Sequence, residues 1–441
     1  MRFYSTRRQD IESDFSLQEA VLRGLAPDGG LFMPGRIPAL PPHLLQGMPS
    51  MSLAEIGFEV ARRFVEEEVG SDTLRRLVQE AIDFDAPLKP LEISPSSSIY
   101  SLELFHGPSL AFKDFGARFM ARLMSLWIGE GSGLTILAAT SGDTGSAVAR
   151  GFLGAAGIRV VILYPEGKVS PLQECQFTTL GRNVTALKVA GTFDDCQRLV
   201  KQAFQDGELR SRLQLSSANS INIARLIPQC FYFFYAWSRL DAQRRQGALA
   251  ISVPSGNFGN LTAGLMARRM GLAVTALVAA TNRNDVVPEF LHGGAYRPRP
   301  SLATLSNAMD VGDPSNFERM LNLCGGDAQA LRRELAGYRF DDRQTLQAIR
   351  QVEEKTGYLM DPHAAVGYLG LVEELKRHPP GTTGIFLATA HPAKFQQVVE
   401  RATGRPVEMP ERLARLMERE KQSTPVAADL EAVKEVLLVS R

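Results

Sequence analysis

The segment ALAISVPSGNFGNLTAGLMARRM, Ala248–Met270, decides how this chain folds. It opens on an apolar run of strand length, Ala248–Val253, turns at PSGNFGN, Pro254–Asn260, and continues as a helical stretch. Strand, glycine-bearing turn and helix in that order form the repeating unit of an α/β fold. Gly256 and Gly259 let the backbone turn tightly and approach a ligand closely. The following helix presents free N–H groups and the positive end of its dipole, which together hold a phosphate without lysine or arginine. The loop is neither a Walker A loop nor a G-x-G-x-x-G sequence, so a nucleotide is not the first expectation. Read alone, it is equally well a plain strand-to-helix turn.

The same alternation extends on both sides. Leu134–Ala139, Val160–Leu163, Val184–Ala190, Val274–Ala279 and Ile385–Ala388 read as strands. Helices are expected from Ser146 and over Asp194–Gln205. Apolar strands alternating with helices imply parallel sheets covered on both faces, with ligands bound beyond the strands' carboxyl ends. Residues 1–95 read as a separate unit. Its helical stretch, Ala54–Ile82, lies between two proline-rich breaks, Pro38–Pro42 and Pro87–Pro95.

Composition narrows the function classes. The 441 residues suit two or three domains. Hydrophobic content of 44% and charged content of 22% are ordinary for a soluble protein. Lys+Arg of 49 against Asp+Glu of 48 leaves no electrostatic footprint for nucleic acid or an acidic membrane. The apolar run Cys230–Trp237 is too short to span a bilayer, and the N-terminus is too charged for a signal peptide. The four cysteines and six histidines match no metal-site spacing, so no metal is expected and a cytoplasmic location is.

Three further stretches carry chemistry. FHGPSLAFKDFGARFM, Phe105–Met120, frames Lys113 with apolar neighbours. Burial disfavours the ammonium, and the neutral amine that results attacks carbonyls to form Schiff bases. A surface lysine with its stem lying on hydrophobic side chains is the bland alternative. TSGDTGSA, Thr140–Ala147, offers hydroxyls and amides to a carboxylate or phosphate, or else a helix N-cap served by Ser141, Asp143 or Thr144. LATAHPAKF, Leu387–Phe395, brings Thr389 to a strand end, where its alcohol either meets a ligand or bonds its own backbone. An aldehyde, a phosphate tail and a ring nitrogen together would use a lysine, a phosphate cradle and a hydroxyl. Pyridoxal phosphate has those three groups.

At this point the chain resembles the threonine synthase family, fold-type II (tryptophan synthase β-like) pyridoxal-phosphate enzymes. The likeness runs through MRFYSTR, LAPDGGLFMP, FHGPSLAFKDFGARFM, ATSGDTGSAVA, VILYPEGKVSPLQE, SANSINIARL, ISVPSGNFGNLTAG, AATNRNDVVP, TLSNAMDVGDPSN and TAHPAKF. It implies an α/β fold of parallel or mixed sheets flanked by helices, with an additional N-terminal domain over 1–95. The catalytic region would be 96–441, divided into a smaller subdomain near 131–215 and a larger one of 96–130 plus 216–441. It implies a carbon–oxygen lyase that converts O-phospho-L-homoserine and water to L-threonine and phosphate, the last step of threonine biosynthesis. Another fold-type II lyase, such as a serine/threonine dehydratase, or a catalytically silent cofactor-binding relative, is the alternative.

By the same resemblance Lys113 is the catalytic lysine that carries pyridoxal 5'-phosphate. Gly256, Asn257, Phe258, Gly259 and Asn260 hold the cofactor phosphate, and Thr389 meets the pyridine nitrogen. Ser141, Asp143, Thr144 and Gly145 receive the substrate carboxylate. Ser220 and Arg225, in NSINIAR, receive the substrate phosphate; a surface arginine is the alternative for Arg225. Lys168, in PEGKVSP, is a lesser candidate. Many relatives of this fold carry asparagine where this chain has Asp143, which leaves a contact from Asp143 to the cofactor's phenolic oxygen open. A monomer or homodimer acting on a small molecule, without nucleic acid or membrane, is expected.

Overall fold

The computed structural model describes residues 1–7, 15–93, 98–129 and 133–439. In chain order the strands are β1 (Phe3–Ser5), β2 (Phe32–Pro34), β3 (Leu88–Leu91), β4 (Ile99–Glu103), β5 (Leu134–Ala139), β6 (Ile158–Pro165), β7 (Val184–Val189), β8 (Gln214–Ser216), β9 (Leu249–Pro254), β10 (Ala276–Thr281), β11 (Leu335–Arg339), β12 (Thr383–Ala388) and β13 (Thr424–Val426). One sheet has the order β11-β10-β9-β12-β4-β3, parallel throughout except for β3 against β4. A second, wholly parallel sheet has the order β13-β7-β6-β5-β8. β1 and β2 form a small antiparallel pair.

Every residue of β5, β9, β10 and β12 is buried. That is why these strands read as unbroken apolar runs: helices cover both faces. The helix Pro362–Leu375 lies on β9, β10 and β12. It comes so close that a Cβ at Gly370 would sit 2.7 Å from the Ala280 Cβ. On the second sheet, the helix Phe193–Gln205 covers β5 and β6. It starts one residue before the expected Asp194, because Thr192 and Asp195 form a reciprocal capping box. The run Cys230–Trp237 lies in the helix Gln229–Arg239 and packs on the helix Leu53–Val69. Among the described residues no helix is long and apolar enough to cross a membrane.

Three expectations change. The stretch Ala54–Ile82 is two helices, Leu53–Val69 and Ser71–Ala81, broken at Gly70, whose φ of 81° no other residue type adopts cheaply. β3 precedes the expected border at residue 95 yet joins the large sheet. The chain's end does not stay with the larger subdomain. β13 pairs with β7, and the helix Leu430–Val439 packs on Phe193–Gln205, so the last part of 216–441 returns to the smaller sheet. The proposed borders at residues 95 and 131, and residue 441, lie outside the described residues.

Candidate active site

β9, β12 and β4 are neighbours, so their carboxyl ends deliver three loops to one place. β9 leads into the Gly256–Asn260 loop, β12 into Thr389, and β4 toward Lys113. The last two run side by side. Phe112 N donates to Thr389 O at 2.8 Å, His391 N donates to Leu110 O at 3.1 Å, and Ala111 bridges Ala390. Leu110 is held at a φ of 58°, a strained conformation for a leucine, and the turn it makes sets Lys113 as the first residue of the helix Lys113–Trp127.

Lys113 is half-buried. Its Nζ lies 5.6 Å from the Phe112 ring centre, and among the described residues no hydrogen bond holds it. Loss of water pushes its pKa down to about 8; Asp143 opposes this, while Lys394 and Arg225 add to it. The amine is therefore available in both protonation states near neutral pH.

The hydroxyl-rich loop follows β5. The helix N-cap is Gly142, so none of Ser141, Asp143 and Thr144 serves as the cap; the Thr140 hydroxyl, just ahead of it, accepts from Gly142 N at 2.9 Å and Gly145 N at 2.8 Å. The helix consequently begins at Asp143 rather than near Ser146. Asp143 is buried and takes a 2.6 Å ion pair from Lys394 and a 2.9 Å bond from Gln173 Nε2. Desolvation works against its ionisation, but Lys394 and then Lys113 hold its pKa well below the usual carboxylate range. Ser141 and Thr144 are half-buried and Gly145 is buried.

The phosphate loop is braced from behind. Phe258 has a φ of 60° just before the helix Gly259–Arg269. Asn257 O accepts from Asn316 Nδ2 at 3.0 Å, and its Oδ1 accepts from Ser315 N at 3.3 Å. A Cβ on Gly256 would lie 2.9 Å from both Ala308 O and Met309 Cα, so only glycine fits against that segment. Ala308 N in turn donates to His363 Nε2 at 3.2 Å, and His363 Nδ1 meets Asp361 at 2.5 Å. Asn260 Oδ1 accepts from the Tyr232 hydroxyl at 2.7 Å, while its buried Nδ2 has no partner among the described residues. A buried donor in a helix's first turn, with no acceptor of its own, fits an anion.

Arg225 is buried, which overturns the surface alternative. Desolvation lowers its pKa to about 10, with Asp114 opposing. Nη1 is anchored on Ala218 O, and Nε has no partner among the described residues. Ser220, half-buried, is tied to the phosphate loop through Asn316, whose Nδ2 also reaches Ser220 O at 3.4 Å. Behind both stands Arg319, fully buried. It donates to Phe32 O, Ser220 O, Ile221 O and Asn316 Oδ1. Lys168 is exposed in a turn after β6.

Lys113, Asp143 and Arg225 therefore act on one another electrostatically, Thr389 is joined through its backbone to the Lys113 segment, and Asn316 ties Ser220 to Asn257, while Lys168 is exposed on a separate turn. Sequence reasoning missed Lys394, Gln173, Asn316, Arg319 and the Asp361–His363 pair. Lys394 did carry a signal, since Ala393 and Phe395 frame it much as Lys113 is framed. The residues present fit pyridoxal phosphate: a depressed amine for its aldehyde, the unpartnered Asn260 amide and a helix N-terminus for its phosphate, and the Thr389 hydroxyl for its ring nitrogen.

Comparison with known proteins identifies the family. Three family models match: Pyridoxal-phosphate dependent enzyme over residues 87–389, Threonine synthase N terminus over 2–82, and Threonine synthase, C-terminal over 364–437. The chain is 44% identical over 438 residues to the threonine synthase of Escherichia coli K12, covering 99% of each. The crystal structure of the E. coli threonine synthase superposes with a TM-score of 0.92 at 43% identity and covers both chains completely. That of a PLP-bound threonine synthase from Brucella melitensis gives 0.90 at 37%, over 99% of this chain and 98% of that one. Matching at such identity over its whole length, the chain belongs to the threonine synthase family of pyridoxal-phosphate-dependent enzymes.

Proposed function

We propose that Lys113, the Gly256–Asn260 loop and Thr389 hold pyridoxal phosphate, and that Ser220 and Arg225 receive the phosphate of the substrate. The reaction is the conversion of O-phospho-L-homoserine and water to L-threonine and phosphate. The observation that supports these assignments is one desolvated amine, Lys113, together with two buried donors that have no partner among the described residues. These donors are the Asn260 amide in the phosphate loop and the Nε of buried Arg225.

Turnover removes protons at Cα and Cβ of the substrate, returns protons at Cγ and Cα, and leaves the oxygen of water on Cβ as phosphate departs from Cγ. Pyridoxal phosphate, when bound, supplies the electron sink for this chemistry. A lysine whose pKa lies near 8 takes and returns protons at neutral pH, and Lys113 is our proton carrier at Cα and Cβ. Arg225 offers a guanidinium fork to the leaving phosphate, and Ser220 adds a hydroxyl. The loop Ser141–Gly145 orients the substrate carboxylate through its amides and hydroxyls. Thr389 meets the ring nitrogen with a neutral hydroxyl rather than a carboxylate, which favours the unprotonated nitrogen and restrains side reactions.

The test is phosphate release from O-phospho-L-homoserine by purified protein with pyridoxal phosphate, with threonine quantified in the same tube. Equal amounts are expected; phosphate accompanied by a keto acid would make the site that of an eliminating lyase. Lys113→Ala should lose turnover together with the cofactor's visible-region band, and retention of both would remove Lys113 from the mechanism. Arg225→Ala should weaken phosphohomoserine binding far more than cofactor binding.

A further inference from the structure

We propose that Lys394 is a positioning residue of this site: its buried ammonium bridges the loops of the two sheets, neutralises Asp143, and leaves Lys113 free to act as an amine. The inference rests on the reading of Lys113 as the cofactor-carrying lysine.

The geometry is specific. Lys394 lies in the 3₁₀ turn Pro392–Phe395 that follows β12 in the large sheet. Its side chain has no solvent exposure. Nζ reaches Asp143 Oδ1 at 2.6 Å, on the loop after β5 of the smaller sheet, and Ser109 O at 2.8 Å, on the segment that leads into Lys113. The same two acceptors are also held by one helix, Pro171–Thr178. Gln173 Nε2 reaches Asp143 Oδ1 at 2.9 Å, and Gln176 Nε2 reaches Ser109 O at 3.1 Å. One ammonium therefore joins the hydroxyl-rich loop, the Thr389 loop and the lysine segment.

The electrostatic consequence follows from the charge pattern. Lys113 feels two carboxylates, Asp143 and Asp361, and two cations, Lys394 and Arg225. Of the carboxylates, Asp143 acts on it more strongly. With Lys394 in contact, Asp143 already has a counter-ion, and burial is free to depress the Lys113 amine. Without Lys394, Asp143 would be a buried carboxylate in need of a cation, and Lys113 is the nearest substitute. Lys113 would then be held as an ammonium, which cannot attack an aldehyde or accept a proton. Lys394 does not touch the reacting atoms in this scheme. It acts through Asp143.

The test is the pH dependence of cofactor capture. Full-length protein freed of cofactor is mixed with pyridoxal phosphate, and the absorbance change is timed across pH, because only the neutral amine of Lys113 attacks the aldehyde. In the parent the rate should rise to a midpoint near 8. Lys394→Met should move that midpoint up by about one unit or more, making the neutral amine roughly tenfold scarcer at pH 7. Lys394→Arg, which keeps the charge, should leave it in place. Lys394→Met combined with Asp143→Asn should bring it back to the parental value or below. A folded Lys394→Met protein with the parental midpoint would overturn the proposal, as would a double variant that keeps the raised one. Where near-UV dichroism shows Lys394→Met unfolded, Asp143→Asn alone decides: a lowered midpoint is expected, and an unchanged one refutes. Capture by Lys113→Ala would instead refute the reading of Lys113.

Discussion

Replacing Gly116 with alanine asks whether Arg225 has to stand where it does. Gly116 lies early in the helix Lys113–Trp127, facing the short helix Ile223–Leu226. A Cβ there would come within 2.7 Å of Arg225 Nε, 2.9 Å of Arg225 O and 3.2 Å of Arg225 Cδ. Two effects oppose each other. Alanine in a helix interior favours folding by about 1 kcal/mol over glycine. Overpacking a filled site costs about 1–3 kcal/mol, and a backbone oxygen cannot swing aside as a side-chain tip can. The expected change in stability is a loss of about 0–2 kcal/mol. The effect on function is larger, because the guanidinium is displaced with its stem. One hydrogen bond to a charged group contributes about 1.5–3 kcal/mol, so losing one to the substrate phosphate lowers affinity about ten- to a hundredfold. The assay is KM and kcat for phosphate release, beside an absorbance titration of pyridoxal phosphate. The substrate constant should rise while cofactor affinity holds. An unchanged substrate constant in a folded variant would refute the placement of Arg225 at the substrate phosphate. Equal losses in both would mean that the strain spreads along the helix to Lys113.

Arg319 uses all five of its N–H groups on four acceptors, and lysine has only three. Arg319→Lys should therefore cost roughly 1–3 kcal/mol, from at least one acceptor left unpaired, and an unaltered thermal unfolding midpoint would contradict this. Asn260→Asp keeps the acceptor for Tyr232 but replaces the free amide donor with a carboxylate, so pyridoxal phosphate should bind at least about tenfold more weakly with little change in unfolding; equal affinity would remove Asn260 from the phosphate cradle. Desolvation raises the carboxyl of Asp310 to about 6, against the donors of Thr304 and Asn282. A carboxyl whose pKa is higher folded than unfolded (about 3.9) favours folding fully below the unfolded value and loses that contribution as pH rises through the folded one. The stability difference between parent and Asp310→Asn should consequently change between about pH 4 and 6 and be flat on either side; a constant difference across that window would refute the shift.

What the sequence made legible follows from what each residue type cannot do alone. Strands buried on both faces have to be apolar throughout, so Leu134–Ala139 and Leu249–Pro254 stood out. β4 did not, because IYSLE carries a serine and a glutamate that tertiary partners satisfy; the Ser101 hydroxyl pairs with Tyr358 at 2.8 Å. β8 and β13, three residues each, are too short for any period to show. The site behaves the same way. Loops at strand ends were readable from glycines and hydroxyls, yet the N-cap is Gly142 and the hydroxyl that braces the loop is that of Thr140, not that of any of the three residues that local rules favoured. Apolar framing picked out Lys113 and applies equally to Lys394, because both rest on the same rule: a dry cation needs an explanation. The rule does not reveal which explanation holds. Lys113 answers by holding its proton less tightly, and Lys394 by taking Asp143 as a counter-ion. That choice depends on a carboxylate delivered by the other sheet, and no window of local sequence contains it. Arg319 shows the limit most sharply. It sits in FERMLNL between a glutamate and a methionine, a pattern that reads as a solvent-facing position on an amphipathic helix. Only the fold, by folding Phe32, Ser220 and Ile221 around it, turns it into the dry centre that holds the N-terminal unit and both anion loops in register.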